Sequence, residues 1–175
     1  MRRISRVVAG ASGSPGSLAA LRFAACLAWA VGVPLVPVLV WQPPSVDWAA
    51  VYGQQSDCLD PAWRAKANAR LAGVLTAAWG GGESDLLVRP YVERGLAGQV
   101  LVEFASAPGD VLVIGAGRRH RRRLGSGRTV SRYCVARADC PVVLIPPPQL
   151  LRHPRLARRL RRRPVTVADF VPGAR

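Results

Sequence analysis

Residues 6–41 read RVVAGASGSPGSLAALRFAACLAWAVGVPLVPVLVW, with an apolar run at each end and a helical pattern between them. The first run, residues 6–11, is short and rich in valine, and it ends in a Gly/Ser/Pro turn. Residues 18–31 place apolar side chains on one broad helical face, which Gly32 ends. Residues 35–41 form the second run. This order predicts a strand, a helix and a second strand, joined by a right-handed crossover.

The rest of the sequence repeats this alternation. Apolar runs that are nearly continuous indicate parallel strands buried on both faces, and DVLVI at residues 110–114 is the clearest of them. Five strands alternate with four helices, which predicts a doubly wound α/β fold, a three-layer α/β/α sandwich. The remaining predicted elements are helix 61–79, strand 85–93, helix 96–107, helix 129–137 and a last strand within residues 140–148.

The length of 175 residues favours one compact domain. Half of the residues are hydrophobic and 20% are charged, a composition that excludes a fully disordered chain. We expect residues 1–147 to form the domain. Residues 148–175 have little periodic apolar surface, so we expect a basic, flexible C-terminal tail.

The net charge of +15 is concentrated in two segments. Residues 118–128 hold six arginines and no acid, and residues 146–175 hold eight arginines and one aspartate. Clustered arginine favours non-specific binding of a polyanion such as a nucleic acid. Neither RRHRRR (118–123) nor LARRLRRR (156–163) contains an aromatic residue that would stack on bases. The remainder of the domain is close to neutral.

Cysteine and histidine give no pattern of a metal site or a redox motif. The four cysteines are far from any C-x-x-C spacing, and we expect them to be reduced and mostly buried. His120 and His153 lack a carboxylate and a nucleophile at recognisable spacing, so we predict no catalytic residues. The N-terminus has no signal-peptide core, and the longest apolar-rich stretch is broken by Gly32 and prolines, so we expect a cytoplasmic protein without a membrane span.

Two glycine-containing loops follow strands one and four of the predicted sheet. They are residues 10–14 (GASGS) and residues 115–129 (GAGRRHRRRLGSGRT). In doubly wound sheets, ligands bind beyond the carboxyl ends of strands where the strand order reverses. Glycine lets backbone N–H groups approach an anion, and a helix beginning near Thr129 directs its positive end towards one. These loops predict a site for a phosphate-bearing ligand, although such turns are also ordinary connectors in α/β proteins.

The segments VVAGASGSPGSLAALRFAA (7–25) and VLVIGAGRRHRRRLGSGRTVSRYCVARADCPVVLIP (111–146) resemble the universal stress protein family. The resemblance covers about residues 3–147, and the second segment is its specific part. It implies a Rossmann-like domain with five parallel strands that forms a homodimer through the last strand, Val142, Val143, Leu144 and Ile145. It also implies a regulatory or binding module rather than a metabolic enzyme.

One branch of that family binds ATP or AMP through the motif G-x2-G-x9-G-[ST]. Counting back from Cys140 places Gly115 at the first glycine, Arg118 at the second, Arg128 at the third and Thr129 at the Ser/Thr position. The spacing is kept, but two of the three glycines are arginine. The resemblance implies phosphate contacts around these four residues and Val130, with Mg accompanying the phosphates.

The adenosine end of such a ligand is implied near Gly10, Ala11, Ser12 and Val40. Ser12 stands where the family has an aspartate, so it offers a hydroxyl and no ionised acceptor. Three functions remain open on the sequence: a nucleotide-binding member of the family, a member without nucleotide that acts as a dimer on partner proteins, and a basic polyanion-binding protein. A nucleotide site requires a pocket between the two loops, whereas in a ligand-free member Arg118 or Arg128 would fill it.

Overall fold

A computed structural model describes residues 3–42, 56–80, 86–117 and 130–148. Within them the helices and strands alternate along the chain as the sequence predicts. They are β1 (Arg6–Gly10), α1 (Pro15–Val31), β2 (Leu35–Trp41), α2 (Ser56–Trp79), β3 (Tyr91–Arg94), α3 (Ala97–Phe104), β4 (Asp110–Gly115), α4 (Val130–Arg137) and β5 (Val142–Ile145).

The five strands form one parallel sheet in the order β3-β2-β1-β4-β5. The central strand β1 pairs Val7 with Leu35 of β2 and with Val111 of β4. Because every pair is parallel, all five carboxyl ends lie at one edge of the sheet, which we call the carboxyl edge. The predicted doubly wound α/β architecture is confirmed.

Two apolar layers cover the faces of the sheet, because side chains alternate between the faces along each strand. In β1, Val7 and Ala9 pack with α1 and α2, whereas Val8 packs on the opposite face with α3 and α4. This two-sided burial explains the nearly continuous apolar runs in the sequence.

Helix α1 has a signal at each end. The Ser14 hydroxyl accepts the Ser17 N–H at 3.2 Å as an N-cap, and Pro15 occupies the first turn, where its missing N–H costs least. At the other end Gly32 adopts φ +71° and donates its N–H to the Trp29 carbonyl. A left-handed residue of this kind is the usual C-terminal stop.

Two predicted boundaries were wrong. Helix α2 begins at Ser56, not at Pro61, which lies inside the helix. Proline lacks the N–H of a helix interior, so the sequence favoured a start there. Strand β3 spans only Tyr91–Arg94 instead of residues 85–93, because Pro90 donates no ladder hydrogen bond and only an isolated bridge from Leu35 to Val88 precedes it.

Helix α3 is shorter than the predicted residues 96–107, since it spans Ala97–Phe104, whereas α4 ends at Arg137 as predicted. Cys26 is exposed, contrary to our expectation of mostly buried cysteines, while Cys134 is buried. The predicted C-terminal tail lies outside the described residues from position 149 onward. Within the described ranges, no helix is long and apolar enough to cross a membrane.

Candidate ligand site

The strand order reverses between β1 and β4. The chain leaves β1 into α1 on one face, and after β4 the next described helix, α4, lies on the other face. In doubly wound sheets the crossovers separate at this point, and ligands bind in the crevice outside the carboxyl ends of the strands. Gly10 ends β1 and Gly115 ends β4, so the two loops singled out in the sequence begin side by side.

Backbone packs tightly at the end of β1. A Cβ on Gly10 would lie 3.0 Å from Ile114 Cγ2 and 3.3 Å from Leu101 Cδ1. Ala11 is buried, and its N–H donates to the Val38 carbonyl at 2.8 Å. The start of the loop is therefore fixed against β2, β4 and α3, and glycine at position 10 avoids a steric conflict.

Ser12, Gly13 and Ser14 continue this loop as an exposed turn. The Ser12 hydroxyl contacts the Ser14 hydroxyl at 3.1 Å and accepts the Ser14 N–H at 3.4 Å. Gly13 adopts φ +78°, a conformation that favours glycine. The turn thus presents neutral hydroxyl groups at the position where the resemblance implied the adenosine end of a ligand.

Gly115 lies against the first turn of α1. A Cβ at this position would be 2.8 Å from the Gly16 carbonyl carbon and 3.1 Å from the Ser17 nitrogen, both backbone atoms that cannot move aside cheaply. Among the first three helical positions, Pro15 has no N–H and Ser17 donates to its cap, which leaves Gly16 as the remaining donor. The glycine brings the start of the β4 loop directly onto the N-terminus of α1.

The structure places the other predicted site residues as follows. Val40 lies two residues beyond Val38 on β2 and is half-buried among the residues that face α3. Val130 is the first residue of α4 and is 40% exposed. Arg118, Arg128 and Thr129 lie outside the described residues. Whether the pocket between the two loops is open or filled by an arginine therefore stays a prediction.

Sequence reasoning missed Arg70 of α2. Its Nη2 donates to the Ser12 carbonyl at 2.8 Å and brings a guanidinium to the turn after β1. Ala67, Leu71 and Val74 define the buried side of α2, and Arg70 lies at its margin. Nothing in the periodicity indicates a contact across 58 positions of sequence.

A second concavity, which we call the β2–β3 cleft, opens at the carboxyl ends of these two strands. It has a volume of about 430 Å³. Its lining residues are not among the site residues predicted from the sequence. Its lining is Trp41, Arg64, Val92, Glu93, Arg94 and Gly95.

Basic side chains lie along the part of α2 near the carboxyl edge, whereas an ion pair lies at the amino edge. The basic side chains Arg64, Lys66 and Arg70 belong to the half of α2 nearer the carboxyl edge. At the amino edge, Asp110 begins β4 and is held by Arg6 through bonds of 2.6 and 2.8 Å. This hydrogen-bonded carboxylate raises the pKa of Arg6. Asp110 is therefore a structural partner of Arg6.

Metal and thiol chemistry find no support among the described residues. These residues contain no group of three or more His, Cys, Asp and Glu side chains arranged to hold a metal ion. Burial raises the pKa of the Cys134 thiol to about 11, and the nearby Cys140 contributes to this rise. A thiol so protonated is a poor nucleophile at neutral pH.

Comparison with known proteins identifies the family and supports the fold. The universal stress protein family matches residues 3–146. The universal stress protein UspA from Lactobacillus plantarum shares 21% identity and a TM-score of 0.58, covering 83% of this chain and 99% of its own. A universal stress protein solved in complex with cAMP shares 23% identity and a TM-score of 0.50 over the same shares of the two chains. No curated protein matches the sequence significantly. The match over most of the chain shows that this protein belongs to the universal stress protein family.

Proposed function

We propose that the protein is a regulatory module that binds an adenine nucleotide, ATP or AMP, at the carboxyl edge between β1 and β4. The observation that carries the proposal is the approach of Gly115 to the first turn of α1, beside Gly10. Two backbone segments then meet at the crevice with little side-chain bulk, which suits close contact with phosphate oxygens. One relative of this fold was solved with cAMP.

The ligand contacts divide between the two loops. Backbone groups of Gly10, Ala11 and Val40 would contact the adenine, with the Ser12 hydroxyl near the sugar. The phosphates would lie by Gly115, Val130 and the residues that precede α4, namely Arg118, Arg128 and Thr129, with Mg as a companion ion. Binding would regulate by ordering these loops or the contacts between subunits. Hydrolysis, if it occurs, would be slow and incidental.

Isothermal titration with ATP and AMP, with and without magnesium, tests the proposal. We expect micromolar affinity in the native protein. The informative variant is Arg118→Gly/Arg128→Gly, which restores the family motif. Its matched control is Arg119→Gly/Arg121→Gly, which removes the same charge from the same segment and leaves the motif positions unchanged.

The outcomes separate the open functions. Binding by the native protein supports a nucleotide-responsive module. Binding by the motif variant alone, with none in the native protein or the control, means that the arginines closed the site and that the protein acts without nucleotide. If nothing binds in any of the four conditions, the nucleotide proposal is wrong.

Assembly through β5 is a second part of the proposal, and a specific surface favours it. β5 pairs with β4 on one side and ends the sheet on the other, and Leu144 is 40% exposed there. An apolar strand at a sheet edge invites pairing with another strand. Light scattering after size exclusion should give a homodimer for the native chain and a monomer for Leu144→Arg, with Leu87→Arg, another exposed leucine, as the control. A native monomer contradicts this assembly.

A further inference from the structure

Helix α1 has an apolar flank on the side of β5. Phe23, 44% exposed, and the half-buried Leu27 lie one turn apart on this flank. Gly16, two turns before Phe23, fixes the direction of the flank, because it packs against Gly115 at the end of β4. The opposite flank carries Arg22, whose guanidinium donates to carbonyls at the end of α2. The flank towards β5 is therefore apolar and partly open to solvent.

Strand β5 extends this apolar flank. Val143 and Ile145 lie on the side of the sheet that α1 covers and pack with the same apolar layer, whereas Val142 packs on the opposite side. Both are only half-buried, because β5 is the last strand of the sheet on this side. Among the described residues, no helix follows β5 to cover its face. We call Phe23, Leu27, Val143 and Ile145 the α1–β5 surface.

The chain segments outside the described residues differ in how well they suit this surface. Residues 43–55 and 81–85 adjoin α2, which packs on the opposite flank of α1. Residues 118–129 leave β4 near the surface, but Leu124 is their only large apolar residue. The C-terminal segment, residues 149–175, follows β5 directly and contains several leucines. It is therefore the segment that both starts beside the surface and carries apolar side chains.

The leucines of the C-terminal segment lie close to its start, at Leu150, Leu151, Leu156 and Leu160. Leu156 and Leu160 are four positions apart, the spacing that aligns two side chains on one helical face, and arginines occupy most positions around them. These leucines are too few for a core of their own, but they suit a surface that α1 and β5 already supply. Phe23 lies roughly 12 Å along α1 from its first residue. The chain from Ile145 to Leu156 spans up to roughly 35 Å, so it reaches.

We propose that residues 150–160 dock on the α1–β5 surface of the same chain, with their leucines against Phe23 and Leu27 and their arginines directed to solvent. Tethering favours this occupant, because a short linker gives a roughly millimolar effective concentration, at which a weak contact suffices. A second copy needs about 1,200 Å² or more of total buried area, whereas this surface consists of four partly covered side chains. Docking turns the arginines of this segment into a fixed basic surface beside α1.

Cleavage by trypsin tests the docking, because the segment supplies its own cleavage sites. The protease cuts the opened chain, so the cleavage rate follows the population of the undocked form. Mass spectrometry measures the rate of cleavage after Arg158 in the full chain and in a free peptide of residues 149–175 with the same sequence. The ratio of the peptide rate to the protein rate is a protection factor. We expect roughly ten or more for the native chain, which corresponds to a docked population of about 90%.

Two variants remove the contact from its two sides. Phe23→Ser changes the surface, and thermal unfolding verifies that this variant is folded. Leu156→Ser/Leu160→Ser changes the segment and leaves the packed layers of the domain untouched. Because each variant removes apolar partners of the other side, both should lower the protection factor to about one.

Each variant has a matched control. Trp29→Ser removes another exposed aromatic side chain of α1, 71% exposed and seven positions after Arg22 on the opposite flank. Val165→Ser/Val167→Ser removes two apolar side chains from a later part of the same segment. Both controls should keep the native protection factor. The docked segment covers the face of β5 and not its edge, so this result depends on neither the homodimer nor nucleotide binding.

Four results would overturn the proposal. A native protection factor near one shows that the segment is not held. Equal protection in a variant and its control shows that something other than the α1–β5 surface holds it. Protection that falls on dilution of the protein assigns the surface to a second copy. Protection that arises only when vesicles of phosphatidylcholine and phosphatidylglycerol are added assigns the segment to an anionic lipid surface.

Discussion

Arg6 and Asp110 join the amino ends of the two central strands through a two-pronged ion pair. Arg6 Nε lies 2.6 Å from Asp110 Oδ1, and Nη2 lies 2.8 Å from Oδ2. The same Nη2 donates to the Phe104 carbonyl at the end of α3, and the Ala107 N–H donates to Asp110 Oδ2. The pair therefore ties β1, β4 and the turn between α3 and β4 into one network, opposite the edge that carries the candidate site.

Arg6→Met should destabilise the fold by about 3 kcal/mol. The substitution keeps the aliphatic stem but leaves the Asp110 carboxylate, 1% exposed, without its charged partner. Urea unfolding measures the loss. The double variant Arg6→Met/Asp110→Asn removes the unpaired charge and should recover part of it. If the urea midpoint of Arg6→Met equals that of the native protein, the ion pair does not stabilise the fold.

Gly115→Ala should also destabilise the protein, by about 1–3 kcal/mol, because its Cβ would meet backbone atoms of Gly16 and Ser17. The strain falls on the first turn of α1, so nucleotide affinity should drop as well. Gly73→Ala is the control. Gly73 lies in α2 with no atom within 4 Å of an added Cβ, and alanine there should stabilise the helix by roughly 0.5–1 kcal/mol. Equal effects of the two substitutions would contradict the close packing at β4.

The local elements of this fold are largely readable from sequence. The run at residues 35–41 is apolar throughout, and the structure confirms β2 over Leu35–Trp41. A strand that is apolar at every position must be covered on both faces of the sheet, so the sequence of this run also predicts its burial. The start of α2 could not be predicted in this way. Proline is typical of a first helical turn, so Pro61 indicated a start there, and whether a proline is accepted inside a helix depends on the surrounding structure.

The candidate site was predictable only in its backbone part. Gly10 and Gly115 end their strands and begin the two glycine-containing loops, so the sequence predicts that they lie at the site. The structure places them side by side. The side chains that give the carboxyl edge its charge come from elements distant in sequence. Arg70 meets Ser12 across 58 positions, and Arg94 meets Trp41 through strand pairing that single-sequence periodicity does not encode.

Arg70→Gln should loosen the turn after β1. The native guanidinium holds the Ser12 carbonyl at 2.8 Å, and the shorter glutamine side chain does not reach it. An exposed hydrogen bond that contributes about 0.5–1.5 kcal/mol corresponds to roughly two- to twelve-fold more frequent opening of the turn when it is lost. Amide hydrogen exchange at Gly13 and Ser14 measures this. Arg64→Gln on the same helix is the control and should leave these amides unchanged. Equal exchange in both variants would mean that Arg70 does not restrain the turn.

Alkaline pH should destabilise the protein through Cys134. Its side chain is fully buried, and burial raises the pKa of the thiol from 9.0 to about 11. Below pH 9 the thiol is protonated in both the folded and the unfolded chain, so it adds no pH dependence. Between pH 9 and 11 the unfolded chain loses the proton first, and the free energy of unfolding falls by up to roughly 2–3 kcal/mol.

Urea unfolding at pH 8 and at pH 10.5 measures this loss. The matched variants are Cys134→Ala, which removes the buried thiol, and Cys26→Ala, which removes an exposed one. Cys134→Ala should be less stable than the native protein at pH 8, since it leaves a small cavity, but should lose less stability on going to pH 10.5. Cys26→Ala should retain the native pH dependence. If all three proteins lose the same amount, the alkaline loss arises from groups other than Cys134.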